Sequence, residues 1–206
     1  SALPGQAEPE SYLNEHLLND IRPTLFLAQL SNLLAGNISL VHGVLGSSRT
    51  FMGEETCGAD AIRIACARIG SGQGDLFLVG GSYNGQRADS VLLFEMGRTL
   101  WKDDFAGVWA RQANGGGMIL GSVGCFLVIE SRSHAEARGA TQLARIASVQ
   151  SDRCRRDPGQ ATANARKQLA GVSYDPSATA VISGATGIAA PTTEEKQLLD
   201  DLGLPF

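Results

Sequence analysis

The fold is decided by residues 74–81, whose sequence is GDLFLVGG. A continuous apolar run with no alternation between faces is typical of a strand that is covered on both sides. The preceding segment, residues 56–69, predicts a helix, because apolar residues recur there at the i, i+3, i+4, i+7 spacing of one helical face. These residues are Ile62, Ala65, Cys66 and Ile69. Residues 48–52 predict a short strand before that helix, so the order is the strand, helix, strand of an α/β protein.

Outward from this unit the chain alternates further apolar runs with helical segments. Strands are predicted at 118–120, 125–129, 143–149 and 180–183, and helices at 24–44, 133–138, 162–169 and 192–202. We expect residues 76–79, 126–129 and 143–149 to share one mixed sheet, with the 56–69 helix buried against it. The sparse charge of the 24–44 helix predicts burial on most of its sides.

Composition places the chain among globular proteins and excludes several function classes. Of 206 residues, 43% are hydrophobic and 18% are charged, which is too apolar for a disordered chain. The net charge of −4 argues against nucleic-acid binding. No apolar run reaches the roughly 20 residues of a membrane span, and no signal peptide is visible at the start. The expected location is the cytoplasm.

The cysteines and histidines do not predict a metal or cofactor site. The four cysteines form no CxxC pair, and none of the three histidines stands at a zinc-ligand spacing from them. The Gly-rich residues 70–74 precede a strand instead of opening a helix, so they do not predict a phosphate loop. We therefore expect neither a metal nor a cofactor.

Several short motifs appear in one order along the chain. They are the sequences LAGNIS at 34–39, HGVLG at 42–46, GDLFLVGG at 74–81, GMILG at 117–121, FLVIE at 126–130 and AEARGA at 135–140. Together they resemble the β-ketoacyl-acyl-carrier-protein synthases, which are condensing enzymes. The resemblance implies a thiolase-like layered fold of which this chain covers roughly the middle half.

The resemblance also implies a domain organisation. Residues 1–22 are interpreted as a tail and lead-in. Residues 23–150 correspond to the end of the N-terminal thiolase-like half, and residues 151–206 to the start of the C-terminal half.

The nucleophile position of the family is occupied here by a different residue. In these enzymes a cysteine stands three residues before a glycine at the start of a buried helix, where the helix N-terminus stabilises its thiolate. The glycine of that motif is Gly58, and the residue three positions before it is Glu55. Gly81 follows Glu55 by 26 residues, which agrees with the family's spacing. The resemblance thus places Glu55 at the nucleophile position, where a carboxylate cannot form the acyl thioester of the condensation.

The first catalytic histidine of the family is replaced as well. The motif that carries it follows a strand similar to residues 181–183, and there Gly184 stands at the position of the histidine. Thr186 and Glu195 match the motif, whereas Thr192 replaces its aspartate. Thr186 and Gly58 are the residues to which the resemblance assigns substrate binding.

The sequence leaves three functions open. The first is a non-condensing subunit similar to the chain-length factors, paired as a heterodimer or homodimer and working with an acyl carrier protein in fatty-acid or polyketide biosynthesis. The second is an active 3-oxoacyl synthase, an acyltransferase whose nucleophile would be Cys57 if the register shifts by two residues. The third is an enzyme that uses Glu55 as acid or base on an acyl thioester. Pairing in the family implies that an apolar surface near residues 30–38 is covered by a partner.

Overall fold

The computed structural model describes residues 9–20, 24, 30–53, 56–155 and 157–205. The chain divides into two units, residues 1–52 and residues 53–206. The predicted helical residues 25–29 and the candidate residue Glu55 lie outside the described residues.

The first unit contains helix α1, Pro9–Asp20, and helix α2, Leu33–His42. Helix α1 was not expected from the sequence. Helix α2 confirms the second half of the predicted long helix and ends at Gly43, whose φ of 65° is the left-handed value that glycine adopts without strain. The prediction that this helix is buried is wrong, because no residue of α2 is buried and Leu40 is 85% exposed. The described part of this unit supplies no layer that covers it.

The second unit begins with helix α3, Cys57–Gly70, and strand β1, Leu76–Tyr83. The remaining elements are α4, Ala88–Met96; α5, Val108–Ala113; β2, Val123–Glu130; α6, Arg132–Ala137; α7, Gln160–Leu169; a 3₁₀ turn, Pro176–Ala178; and α8, Ala189–Asp201. The predicted helices over 56–69, 133–138, 162–169 and 192–202 correspond to α3, α6, α7 and α8.

The sheet joins β1 and β2 as an antiparallel pair, with a register running from Leu76 opposite Glu130 to Tyr83 opposite Val123. Gly80 stands opposite Phe126, and a Cβ at Gly80 would lie 2.3 Å from the Cys125 carbonyl oxygen. The close approach of the two backbones therefore requires glycine at this position. Of the three glycines in the GDLFLVGG stretch, Gly80 is thus required by packing.

Helix α3 packs against β1 and β2, as the sequence predicts. Ala65 is buried at the centre of its apolar face, and Ile62 and Ile69 are half-buried. Ile129 of β2 and Ala135 of α6 are buried as well. A second core forms where α8 packs against α5 and α7, and it contains Leu198, Leu199, Leu204 and Thr192.

Three predicted strands are absent from the described residues. Residues 48–52, 143–149 and 180–183 have extended or irregular backbone without strand pairing, and Leu143 and Ile182 are 94% and 99% exposed. Residues 118–120 make only one bridge, between Met118 and Leu100. An apolar run forms a strand only when a neighbouring edge accepts its backbone hydrogen bonds, and the described sheet has two strands. The expectation that 143–149 joins the sheet is thus wrong.

Strand β1 is also less covered than predicted. Phe77 and Val79 are half-buried, whereas Leu76 and Leu78 on the other face are exposed. The run is continuously apolar, but only one face of the strand lies against α3 in the described structure.

Candidate functional site

The start of helix α3 is the first candidate region. The helix begins at Cys57, preceded by Thr56, whose side chain makes no capping hydrogen bond. Gly58 is exposed, and a Cβ added to it would meet nothing within 4 Å. Because the first amides of a helix lack internal partners, groups at this end face hydrogen-bond donors and a partial positive charge. The cysteine at this position is Cys57, half-buried.

A loop from the second half of the chain is fastened to α3 one turn further on. The Ser151 hydroxyl donates to Asp60 Oδ1 at 2.9 Å, and Arg63 Nη2 donates to the same oxygen at 3.1 Å. The hydrogen bond from Ser151, followed by that from Arg63, holds the pKa of Asp60 below its ordinary value. Arg153 adds to this lowering through its charge. Asp60 therefore joins the beginning of α3 to residues 151–153.

The second candidate region is the loop at residues 183–188, which precedes α8. Glu195 Oε1 accepts a hydrogen bond from the Ser183 hydroxyl at 2.7 Å and one from the Gly184 amide at 3.1 Å. Gly184 is exposed and offers only its backbone to chemistry. The Glu195 carboxylate on α8 thus fixes the start of the loop at Gly184, the residue that takes the place of the family's histidine.

Thr186 lies two residues further along the same loop and is half-buried. Its carbonyl accepts a hydrogen bond from Arg111 Nη2 at 3.0 Å, and its Oγ1 accepts a long one, 3.4 Å, from the Ile188 amide. Of the three residues that the resemblance places in one motif, the structure therefore joins Gly184 and Glu195 directly, whereas Thr186 is bonded to Arg111 and Ile188.

Sequence reasoning missed Arg111, which lies in α5 and is 5% exposed. Its guanidinium makes the contacts that fasten the 183–188 loop, although no motif contained it. The available signal was weak, because a single arginine two residues after Trp109 is more typical of a solvated side chain than of a buried one.

The described residues hold no candidate metal site and no candidate membrane span. There, no three histidine, cysteine or acidic side chains are grouped so that they could hold a metal ion. Within the same residues, no helix combines the length and the apolar character needed to cross a membrane.

A cavity of about 190 Å³ lies beside α7 and α8. It is lined by Arg166, Leu169, Ala170, Tyr174 and Leu202, and contains none of the candidate residues.

Comparison with known proteins places these regions in a family context. Residues 5–135 match the model of the β-ketoacyl synthase N-terminal domain. No curated protein matches the chain. Among solved structures, a similar chain belongs to a complex described as a type II polyketide synthase acyl-carrier protein with its ketosynthase bound to the hexaketide, AntDE:AntF in the apo form.

The structural match covers 90% of this chain and 50% of the solved chain, with a TM-score of 0.68 and 20% sequence identity. This chain therefore spans half the length of the chain it matches. At that identity the likeness shows the fold, and it confirms the predicted partial thiolase-like α/β architecture.

Proposed function

Because the chain belongs to the β-ketoacyl synthase family, we propose that it acts as a non-condensing, chain-length-factor-like subunit. In this proposal it pairs with an active synthase and works with an acyl carrier protein in cytoplasmic fatty-acid or polyketide biosynthesis. Its acyl-binding residues are Thr186 and Gly58.

The observation that carries the proposal is Gly184. The family position for a histidine is filled here by a residue without a side chain, and its amide is engaged by Glu195. Decarboxylative condensation needs a group that polarises the substrate carbonyl and stabilises the developing negative charge. Glycine supplies no such side chain, which supports a subunit that does not condense.

Glu55 supports the same interpretation from the sequence. A carboxylate at the nucleophile position cannot replace a thiolate in thioester exchange. We propose that it fills the space in which relatives hold an acylated cysteine, and that it accepts backbone N–H bonds from the first turn of α3.

One observation favours a second candidate, an active condensing enzyme whose nucleophile is Cys57. The structure begins α3 at this residue, and a helix N-terminus favours a thiolate. Gly184 argues against this second candidate, because it cannot polarise the substrate carbonyl. A thiolate without such a partner would be acylated without completing the condensation.

Acylation tests the two candidates directly. Wild type, Glu55→Cys and Cys57→Ser are incubated with a hexanoyl-acyl-carrier protein, and the mass of each intact protein is measured. We expect no added acyl group on wild type or Cys57→Ser, and acylation without condensation on Glu55→Cys. Acylation of wild type that disappears in Cys57→Ser would overturn the proposal and establish the second candidate.

A further inference from the structure

Arg111 is a buried cation that is satisfied by backbone carbonyls. Its Nε donates to the Gly117 carbonyl at 2.9 Å, its Nη2 donates to the Thr186 carbonyl at 3.0 Å, and its Nη1 donates to the Ala106 carbonyl. Because a buried charge is costly unless its donors are used, these three bonds explain how a 5% exposed guanidinium is tolerated.

Two of the three carbonyls are close to Arg111 along the chain and the third is distant. Thr186 is 75 residues from Arg111, whereas Ala106 and Gly117 flank α5 on either side. The planar guanidinium presents its donors in fixed directions, so it sets where each carbonyl lies. A lysine ammonium is a single point and cannot hold all three carbonyls in this geometry.

The far side of the loop is fastened by other bonds. The Gly117 amide donates to the Gly187 carbonyl at 2.7 Å, and the Gly187 amide donates to Thr192 Oγ1 at 3.1 Å. Thr192 is 1% exposed. Arg111 and Thr192 thus hold the backbone of Thr186 and Gly187 between α5 and α8.

The side chain of Thr186 remains available on this fixed backbone. Its Oγ1 accepts only the 3.4 Å bond from Ile188, and within the described part of the chain its hydroxyl proton has no acceptor. Because its backbone is fixed and its hydroxyl proton is not used, Thr186 is suited to donate a hydrogen bond to an amide or thioester carbonyl of a ligand.

We propose that Arg111 is a positioning residue that holds Thr186 in the orientation needed to bind an acyl-pantetheine group. The ligand class rests on the proposed function, whereas the fixing of the loop does not. Arg111 acts through the carbonyl of Thr186 and does not itself contact the ligand.

The fixing of the loop is tested without ligand. Amide hydrogen exchange is measured on wild type, Arg111→Met, Arg111→Lys and the control Arg145→Met, which removes an exposed arginine. We expect exchange in residues 183–188 to rise about tenfold in Arg111→Met. It should rise less in Arg111→Lys and stay unchanged in Arg145→Met, with β1–β2 protection kept in all four. Unchanged exchange in 183–188, or an equal rise in β1–β2, would overturn the proposal. If Arg111→Met does not fold, Arg111→Lys is judged by the same criterion.

The action through Thr186 is tested by a double-mutant cycle. Binding of hexanoyl-pantetheine is measured for wild type, Arg111→Lys, Thr186→Ala and the double variant. We expect each single change to weaken binding about tenfold and the double variant to lose little more, because both remove the same interaction. Additive losses, about a hundredfold in the double variant, would contradict positioning through Thr186. If wild type binds no hexanoyl-pantetheine while the exchange experiment gives the expected result, the proposed function is refuted. The loop-fixing role of Arg111 is then still supported.

Discussion

Glu130 at the end of β2 lies within hydrogen-bond distance of two side chains that follow it in the sequence. Its Oε2 accepts from Arg138 Nε at 2.8 Å and lies 2.9 Å from His134 Nδ1, while its Oε1 accepts from Arg138 Nη2 at 2.5 Å. The hydrogen bonds from Arg138, then the single one with His134, lower the pKa of Glu130 from 4.5 to about 2. The carboxylate fastens α6 to the sheet.

The pH dependence of stability follows from this lowered pKa. Because the folded state keeps Glu130 ionised where the unfolded state is already protonated, its stabilising effect is complete above pH 4.5 and is lost as the pH falls toward 2. We expect the stability difference between wild type and Glu130→Gln, measured by urea unfolding, to shrink over this range. Glu136→Gln on the same helix is the control and should show no such trend. A difference that is constant from pH 6 to pH 2 would contradict the assignment.

Gly187 gives a second prediction at the residue scale. Its φ is 97°, and a Cβ there would lie 2.5 Å from the Gly117 carbonyl oxygen. We expect Gly187→Ala to lower the free energy of unfolding by about 3 kcal/mol, combining strain and overpacking. Gly139→Ala is the matched control, since its φ is 66° but nothing lies within 4 Å of the added Cβ. Its cost should be about 1 kcal/mol. Equal costs in denaturant unfolding would show that the space around Gly187 does not matter.

At the scale of elements, α8 depends on its buried leucines. Leu198 and Leu199 face the second core, where α8 meets α5 and α7. We expect Leu198→Ala to lower the free energy of unfolding by about 2–4 kcal/mol, because it opens a cavity in a packed core. The matched change Leu92→Ala on the exposed face of α4 should cost about 0.5 kcal/mol or less. Similar losses from the two variants would mean that this core contributes little to stability.

Helices were predictable from the sequence where their apolar face repeated over several turns. The spacing of Ile62, Ala65 and Ile69 predicted both α3 and the side on which it packs. Strands at 143–149 and 180–183 were predicted wrongly, because an apolar run fixes neither its partner edge nor its pairing. The prediction of strand β2 was right, because its apolar run does meet a neighbouring edge, that of β1. The close approach of the two backbones depends on Gly80.

The candidate site was predictable only as a motif. The resemblance grouped Gly184, Thr186 and Glu195 in one motif, and the structure joins Gly184 to Glu195 by a hydrogen bond. Arg111 could not be found, because its role depends on the Thr186 carbonyl, which folding brings close from 75 residues away. The assignment of Glu55 stays a prediction, since this residue lies outside the described part of the chain.

At the scale of the whole molecule, apolar side chains are exposed on several elements. They include Leu40 and Val41 on α2, Leu93 and Met96 on α4, and Val123 and Val128 on β2. Exposed apolar side chains on one element can be buried against another protein surface. They are consistent with the pairing that the family resemblance implies.

We expect the purified chain to associate at micromolar concentration, so that its mass in light scattering rises with concentration. The double change Leu33→Glu, Leu34→Glu should lower this association, because it places charge on exposed residues of α2 within the implied pairing region. Leu18→Glu on α1 is the control, as it changes a residue that is 84% exposed outside the implied pairing region. A stable monomer, or an equal effect of both variants, would contradict the prediction.

The bond between Arg111 and Thr186 has a consequence for the order of folding. Closing a loop of 75 residues costs roughly 4 kcal/mol of chain entropy by the (3/2)RT ln n relation. The helices and turns next to Arg111 need no such closure, so they can form before residues 183–188 arrive. In the transition state for folding, Arg111 and Thr186 should therefore have low φ-values, and removing their bond should speed unfolding while leaving the folding rate almost unchanged.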